Sequence, residues 1–215
     1  MSSPLPLTPV ALADRLAALL ADTPAEAGAA ALRVALDGPD AADPEALARA
    51  VAERLPALGR PVTVVPAAGF LRPASVRLEH GRTDPDARYT DWLDVRALAR
   101  EVLDRVGPGG PGDVLPELWD AVRDRATRAV RVPAAGVVLV PGALLQGVGL
   151  AFDVVVHLRV GPAARARRTP AAQAWELPAF DRYDDEVDPV ALADVVVLAD
   201  HADRPALVLQ GRYSS

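Results

Sequence analysis

Two rhythms of apolar residues run along this chain. In residues 10–20 the apolar positions fall at helical spacing, and residues 44–58 repeat that spacing in an amphipathic helix ending at Gly59. Residues 95–106 predict a third helix, and residues 165–176 a fourth. Between them lie short apolar runs of the kind that strands buried on both faces carry. These are residues 32–36, 62–65, 137–140, 152–160, the end of 191–198, and 206–209. The opening MSSPLPLTP reads as a flexible arm, and residues 24–28 as a break. Residues 66–91 are polar and rich in Arg, Pro and Gly, which predicts a long functional loop. GPGGPGD at 107–113 reads as a turn, and residues 178–189 as an acidic loop. Strands alternating with helices predict an α/β fold with a mainly parallel sheet flanked by helices on both faces.

Composition removes several classes of function. The 215 residues suit one sizeable α/β domain, and an apolar content of 51% supplies its core. Aromatic residues are only 4%, so that core is built from Ala, Val and Leu. A net charge of −6 argues against a nucleic-acid or membrane-surface binder. All 23 basic side chains are arginine, so no lysine is available for Schiff-base, general-base or phosphate-clamping chemistry. With no cysteine there is no disulfide, thiolate metal site or cysteine nucleophile. His80, His157 and His201 lack metal-ligand spacing, and His157, inside a strand, reads as structural. No G-x-S-x-G elbow supports a serine hydrolase. There is no signal-peptide pattern and no apolar stretch long enough for a bilayer, so a cytoplasmic protein is expected.

One stretch has the outline of a phosphate loop. LRVALDGPDAADPEALARAVAERL runs from an apolar strand through a glycine turn into a helix. A phosphate loop needs G-x-x-x-x-G-K-[ST] in that place. Its backbone amides surround the phosphates, its lysine supplies charge, and its hydroxyl residue holds magnesium. Laid on Gly38, the pattern puts Asp43, Pro44 and Glu45 at the second glycine, the lysine and the hydroxyl residue.

Further segments follow in order. They are GFLRPASVRLEHG (69–81), YTDWLDVRAL (89–98), VVLVPG (137–142) and RYDDEVDPVALADVVV (182–197). Together with VALDGPDAA they resemble, over roughly residues 30–210, the uridine kinase family of nucleoside kinases. The resemblance implies a three-layer P-loop kinase-like fold. It also implies transfer of the ATP γ-phosphate to a nucleoside 5′-hydroxyl. In that scheme residues 1–30 are an arm and a helix, residues 31–211 form a single P-loop kinase-like domain, and about 161–189 form its lid. The family's catalytic Asp falls on Ala68, its His on Leu71, its Walker B acid on Pro141 and its lid glutamine on Val187. What remains is Gly38 and a ligand pocket made of Arg72, Tyr89, Asp94, Trp119, Asp120, Arg182 and Tyr183. Arg165, Arg167 and Arg168 stand where the family has its arginine-bearing lid.

The replacements also oppose phosphate. Asp37, Asp40, Asp43 and Glu45 cluster near the turn. Like charges 4 Å apart repel by about 4 kcal/mol at an effective dielectric near 20. A backbone hydrogen bond returns only about 1 kcal/mol. Asp-Pro-Glu is moreover a strong helix start, which predicts that Asp43 caps the following helix through the amide of Glu45 or Ala46. The acidic run 181–188 reads as a solvated loop, with pairing to the lid arginines as the alternative.

These observations predict a catalytically silent uridine kinase-like protein with a degenerate ATP site. It would act by binding a small ligand, a nucleoside among the candidates, or a protein, and a homo-oligomer fits it. No metal or other cofactor is expected. The alternative is an active nucleoside (uridine) or other small-molecule kinase with a rebuilt phosphate site, which would need Mg-ATP. A third reading is a different enzyme using the pocket around Arg72, Tyr89, Asp94 and Trp119.

Overall fold

The computed structural model describes residues 3–214. Its centre is a seven-stranded sheet. In chain order the strands are β1 (Leu5–Pro6), β2 (Ala31–Asp37), β3 (Val62–Val64), β4 (Gly136–Gly142), β5 (Val154–Arg159), β6 (Val195–Leu198) and β7 (Ala206–Leu209). They lie side by side as β1-β7-β6-β5-β2-β4-β3. From β3 to β6 all pairings are parallel, while β7 and β1 run antiparallel at one rim.

Side chains alternate between two cores. Leu32, Val34 and Leu36 of β2, with Val137 and Leu139 of β4, face one side. There they meet Leu12, Leu16 and Leu20 of α1 (Pro9–Asp22) and Ala48 and Val51 of α2 (Pro44–Ala52). Each fully buried leucine contributes about 1.5–3 kcal/mol over leaving it exposed. Ala31, Ala35, Val138 and Val140 face the other side, against Leu98, Val102 and Val106. The first helix thus shares the main core with the sheet. Helices on both faces give the three-layer α/β arrangement that the alternating pattern predicts.

Several expected boundaries shift for physical reasons. Residues 1–2 lie outside the described residues; the remainder of the expected arm includes β1, which pairs with β7 through Leu5↔Leu207 and Pro6↔Ala206. The helix expected over 44–58 ends at Ala52 and continues as a 3-10 turn, Leu55–Leu58, because Pro56 cannot extend α-helical hydrogen bonding. Gly59 closes that turn at φ 75°. Residues 66–91 are not a long loop: they hold a 3-10 turn Ala67–Phe70, a one-turn helix Ala74–Arg77 and α3 (Pro85–Thr90). Asp84 caps α3 through the amides of Asp86 and Ala87.

The helix at residues 95–106, α4, carries a π-helical stretch at Ala99–Leu103. The helix expected over 165–176 appears as α5 (Pro162–Arg168), broken by Thr169 and Pro170, and then the 3-10 turn Ala171–Glu176.

The largest correction concerns the acidic segment, which is a helix, α6 (Leu177–Val187), rather than a loop. Ala179, Phe180 and Tyr183 form its buried stripe, while Asp181, Asp185 and Glu186 stay exposed. Asp188, left-handed at φ 49°, then caps a short α7 (Pro189–Leu192) where a run into the strand was expected.

Among the described residues no helix is long and apolar enough to cross a membrane.

Candidate functional site

The turn between β2 and α2 uses most of its own amides. Gly38 N–H donates to the Gly142 carbonyl at 3.0 Å. Asp40–Ala42 is a 3-10 turn, in which Ala42 N–H donates to Pro39 O (2.7 Å) and Asp43 N–H to Asp40 O (3.0 Å). Pro39 and Pro44 have no N–H to offer. Asp43 is left-handed, at φ 50° and ψ 63°. Its Oδ1 accepts from Ala46 N–H at 2.9 Å, which is the predicted cap. Its carbonyl accepts from Leu47 N–H at 3.3 Å. Gly38 has a packing reason of its own, since a Cβ there would lie 2.9 Å from Leu158 Cβ.

Beside this turn, at the C-terminal ends of β2, β3 and β4, opens a cleft of about 470 Å³. That is where open α/β sheets place their ligands. Its walls include Asp40, Asp43, Pro44 and Glu45 from the turn, Ala68 and Leu71 after β3, and Pro141 of β4. The positions that the resemblance identified as altered, Val187 excepted, are thus gathered in one place. Asp40, Asp43 and Glu45 are exposed and form no ion pair among the described residues. The cleft is also lined by Arg88, whose Nε donates to Glu176 Oε2 at 2.8 Å. Among the described residues no group of three or more His, Asp or Glu side chains is placed to hold a metal ion.

None of the seven residues expected in a ligand pocket lines this cleft. Arg72 stands 3.9 Å from Asp91. Asp94 caps α4 through Ala97 N–H at 2.9 Å. Trp119 and Asp120 belong to a small hairpin: Trp119 Nε1 donates to Asp124, and Asp120 accepts from the amides of Val122 and Arg123. Tyr89 donates its hydroxyl to Glu186 at 3.3 Å. Arg182 covers the Tyr89 ring at 4.4 Å and pairs with Asp86 and Glu186.

The lid arginines are occupied as well. Arg165, 3% exposed, binds Asp181 at 2.6 Å and Asp184 at 2.9 Å, which is the pairing weighed as the alternative to a solvated loop. Arg168 donates to the carbonyls of Ala199 (2.7 Å) and Asp200 (2.6 Å), and Arg167 to that of Ala163.

Tyr183 belongs to a buried polar node. Asp37, grouped from the sequence with the acids that would meet a phosphate, instead points into the interior and does not line the cleft. Its Oδ1 accepts from Leu145 N–H at 3.0 Å. Its Oδ2 accepts at 2.9 Å from Gln146 Nε2, His157 Nδ1 and the Tyr183 hydroxyl. Because a carboxylate only accepts, it assigns the Nδ1 proton to His157. Burial pulls the Asp37 carboxyl upward, but the hydrogen bond and field of His157, with the bonds from Gln146 and Leu145, outweigh it and hold the group below its ordinary value. Burial pushes the Tyr183 hydroxyl up, and the Asp37 carboxylate adds to that. The node ties β2, β5 and α6 together. Sequence reading assigned His157 a structural place, but it missed Gln146 and the role of Asp37. It also missed Arg88 and Glu176; the helix start at Asp84-Pro85 was the available signal for the element that carries Arg88.

No protein-family model matches this sequence, and no curated protein sequence matches it. Solved structures do. A possible uridine kinase from Bacillus stearothermophilus aligns over 86% of this chain and 96% of its own, with TM-score 0.68 and 21% identity. A candidate fructose transport system kinase from Silicibacter sp. TM1040 aligns over 87% of this chain and 95% of its own, with TM-score 0.56 and 21% identity. The fold of this chain is that of the uridine kinase-like P-loop kinases.

Proposed function

We propose that this is a kinase-fold protein whose ATP site is closed, and that it acts by binding a ligand in the cleft beside the former phosphate loop. The observation that carries this reading is the use of the turn's amides. Ala42, Asp43, Ala46 and Leu47 donate within the turn and to its own cap, and Pro39 and Pro44 donate nothing. A triphosphate needs those donors and a cation, and phosphoryl transfer depends on both. Here it meets Asp40, Asp43 and Glu45 instead. These residues do not fit Mg-ATP. Nor does Arg88 fill the lysine's role, because Asp40, Asp43, Glu45 and Glu176 outnumber it around the cleft.

Thermal shift with Mg-ATP, followed by a turnover assay on nucleosides and sugars, tests the reading. A ligand at about 100 times its Kd adds roughly 2.7 kcal/mol, or roughly 5–10 °C for a chain of this size. The expected result is no shift with millimolar Mg-ATP and no phosphorylated product. A clear shift with turnover overturns the proposal in favour of an active kinase with a rebuilt site. A nucleoside that shifts the melting point while Mg-ATP does not agrees with a ligand-binding role.

A further inference from the structure

The lining of the cleft holds a charged group with unused hydrogen-bonding capacity. The Arg88 side chain is only 10% exposed. Its guanidinium lies 5.1 Å from the Trp92 ring centroid and 5.6 Å from that of Phe180, so two aromatic faces fix it. Only Nε is engaged, by Glu176. Neither Nη has a hydrogen-bond partner among the described residues, neither is a sealed orphan, and Arg88 lines the cleft. A guanidinium held in this way, with its fork free, is a receptor for a planar anion, above all a carboxylate.

The acids that line the same cleft select what else the ligand carries. Asp40, Asp43 and Glu45 stand there without ion-pair partners, and Glu176 offsets Arg88. Four acids against one arginine leave the cleft at −3. A phosphate dianion is repelled by that field, whereas an ammonium group is drawn to it. Ala67, Ala68, Leu71, Leu93 and Pro141 also line the cleft and suit an apolar body.

We infer that the cleft takes a dipolar amino-acid-like molecule, with its carboxylate on the Arg88 fork and its ammonium among Asp40, Asp43 and Glu45. The inference rests on the ligand-binding reading above and names the ligand class for the same cleft.

Calorimetry on the full chain tests it with three sets of probes. The first is L-leucine, L-phenylalanine and a ladder of ω-amino acids from three to about eight carbons. The second is the matching alkylamines, and the third the matching carboxylic acids. At least one dipolar probe is expected to bind about tenfold or more tightly than both its amine and its acid counterparts. Arg88→Gln should reduce that probe to the affinity of its amine. Glu45→Gln, at an exposed position where folding is not at risk, should weaken the dipolar probe by about threefold or more and leave the acid unchanged or tighter.

Failure of every dipolar probe overturns the inference. So does an amine that binds as tightly as its dipolar counterpart, or a dipolar probe indifferent to Glu45→Gln. If Arg88→Gln does not fold, Arg88→Lys keeps the charge but not the fork, and a dipolar probe indifferent to that change counts against the inference. Mg-ATP separates the two levels. With Mg-ATP silent and the dipolar probes failing, the ligand class falls and the closed phosphate site stands; a Mg-ATP response removes the closed site itself.

Discussion

The two ends of the turn joining β2 to α2 carry the same side chain in opposite surroundings. Asp37 is fully buried, and both its oxygens accept from neighbours on three other parts of the chain. Asp43 is exposed and is bonded only to its own helix start. The first joins α6 to the sheet through long-range bonds; the second finishes a local turn. An aspartate's worth is thus set by what its oxygens replace when they leave water. Around Asp37 every replacement is a protein donor. On the cleft side most of the carboxylate remains in solvent, available to a ligand.

Replacing each aspartate in turn tests that contrast. Asp37→Ala strands Gln146, His157 and Tyr183 together, and a loss of about 3–5 kcal/mol in urea denaturation is expected. A loss below about 1 kcal/mol would mean that the node is no more than a surface contact. Asp37→Asn sharpens the point through pH. The folded-state pKa of Asp37 lies below its unfolded value near 3.9, so its stabilisation is complete above that value and is lost as pH falls through the folded pKa. The gap between the wild type and Asp37→Asn is therefore expected to be widest near neutral pH and to narrow below about pH 4. A gap independent of pH would break the assignment of an ionised Asp37. The smallest effect belongs to the turn. Asp43→Ala removes a cap from a left-handed residue, for an expected loss of about 1–2 kcal/mol, whereas Asp43→Asn keeps both functions and should stay within about 0.5 kcal/mol.

What the sequence reveals follows the range of the interactions. The Asp43 cap was legible because Asp-Pro-Glu acts within a few residues. The central strands were legible because unbroken valine and leucine runs need burial on both faces. Helix α6 was hidden by its composition: its acids drew attention away from Ala179, Phe180 and Tyr183, whose period is helical. Strand β1 depends on β7, at the other end of the chain, and two residues carry no period of their own. The cleft was half legible. Its acidic wall is contiguous in sequence, but Arg88 owes its setting to Trp92, Glu176 and Phe180, which only the fold brings near. Tyr89, Asp94 and Trp119 had the chemistry of ligand contacts, yet Asp94 caps a helix and Tyr89 and Trp119 bond to neighbouring carboxylates.

The margins of the sheet carry a last consequence. At one rim β1 ends in Pro6; at the other, the three residues of β3 stand between Pro61 and the nearby Pro66. Proline cannot donate to a neighbouring strand, and a rim this short offers little to pair with. Copies of this protein are thereby discouraged from joining edge to edge into a continuous ribbon, as exposed strands do when proteins aggregate. A valine-rich sheet is thus guarded against ribbon formation by the way its borders are finished, independently of whatever its cleft holds.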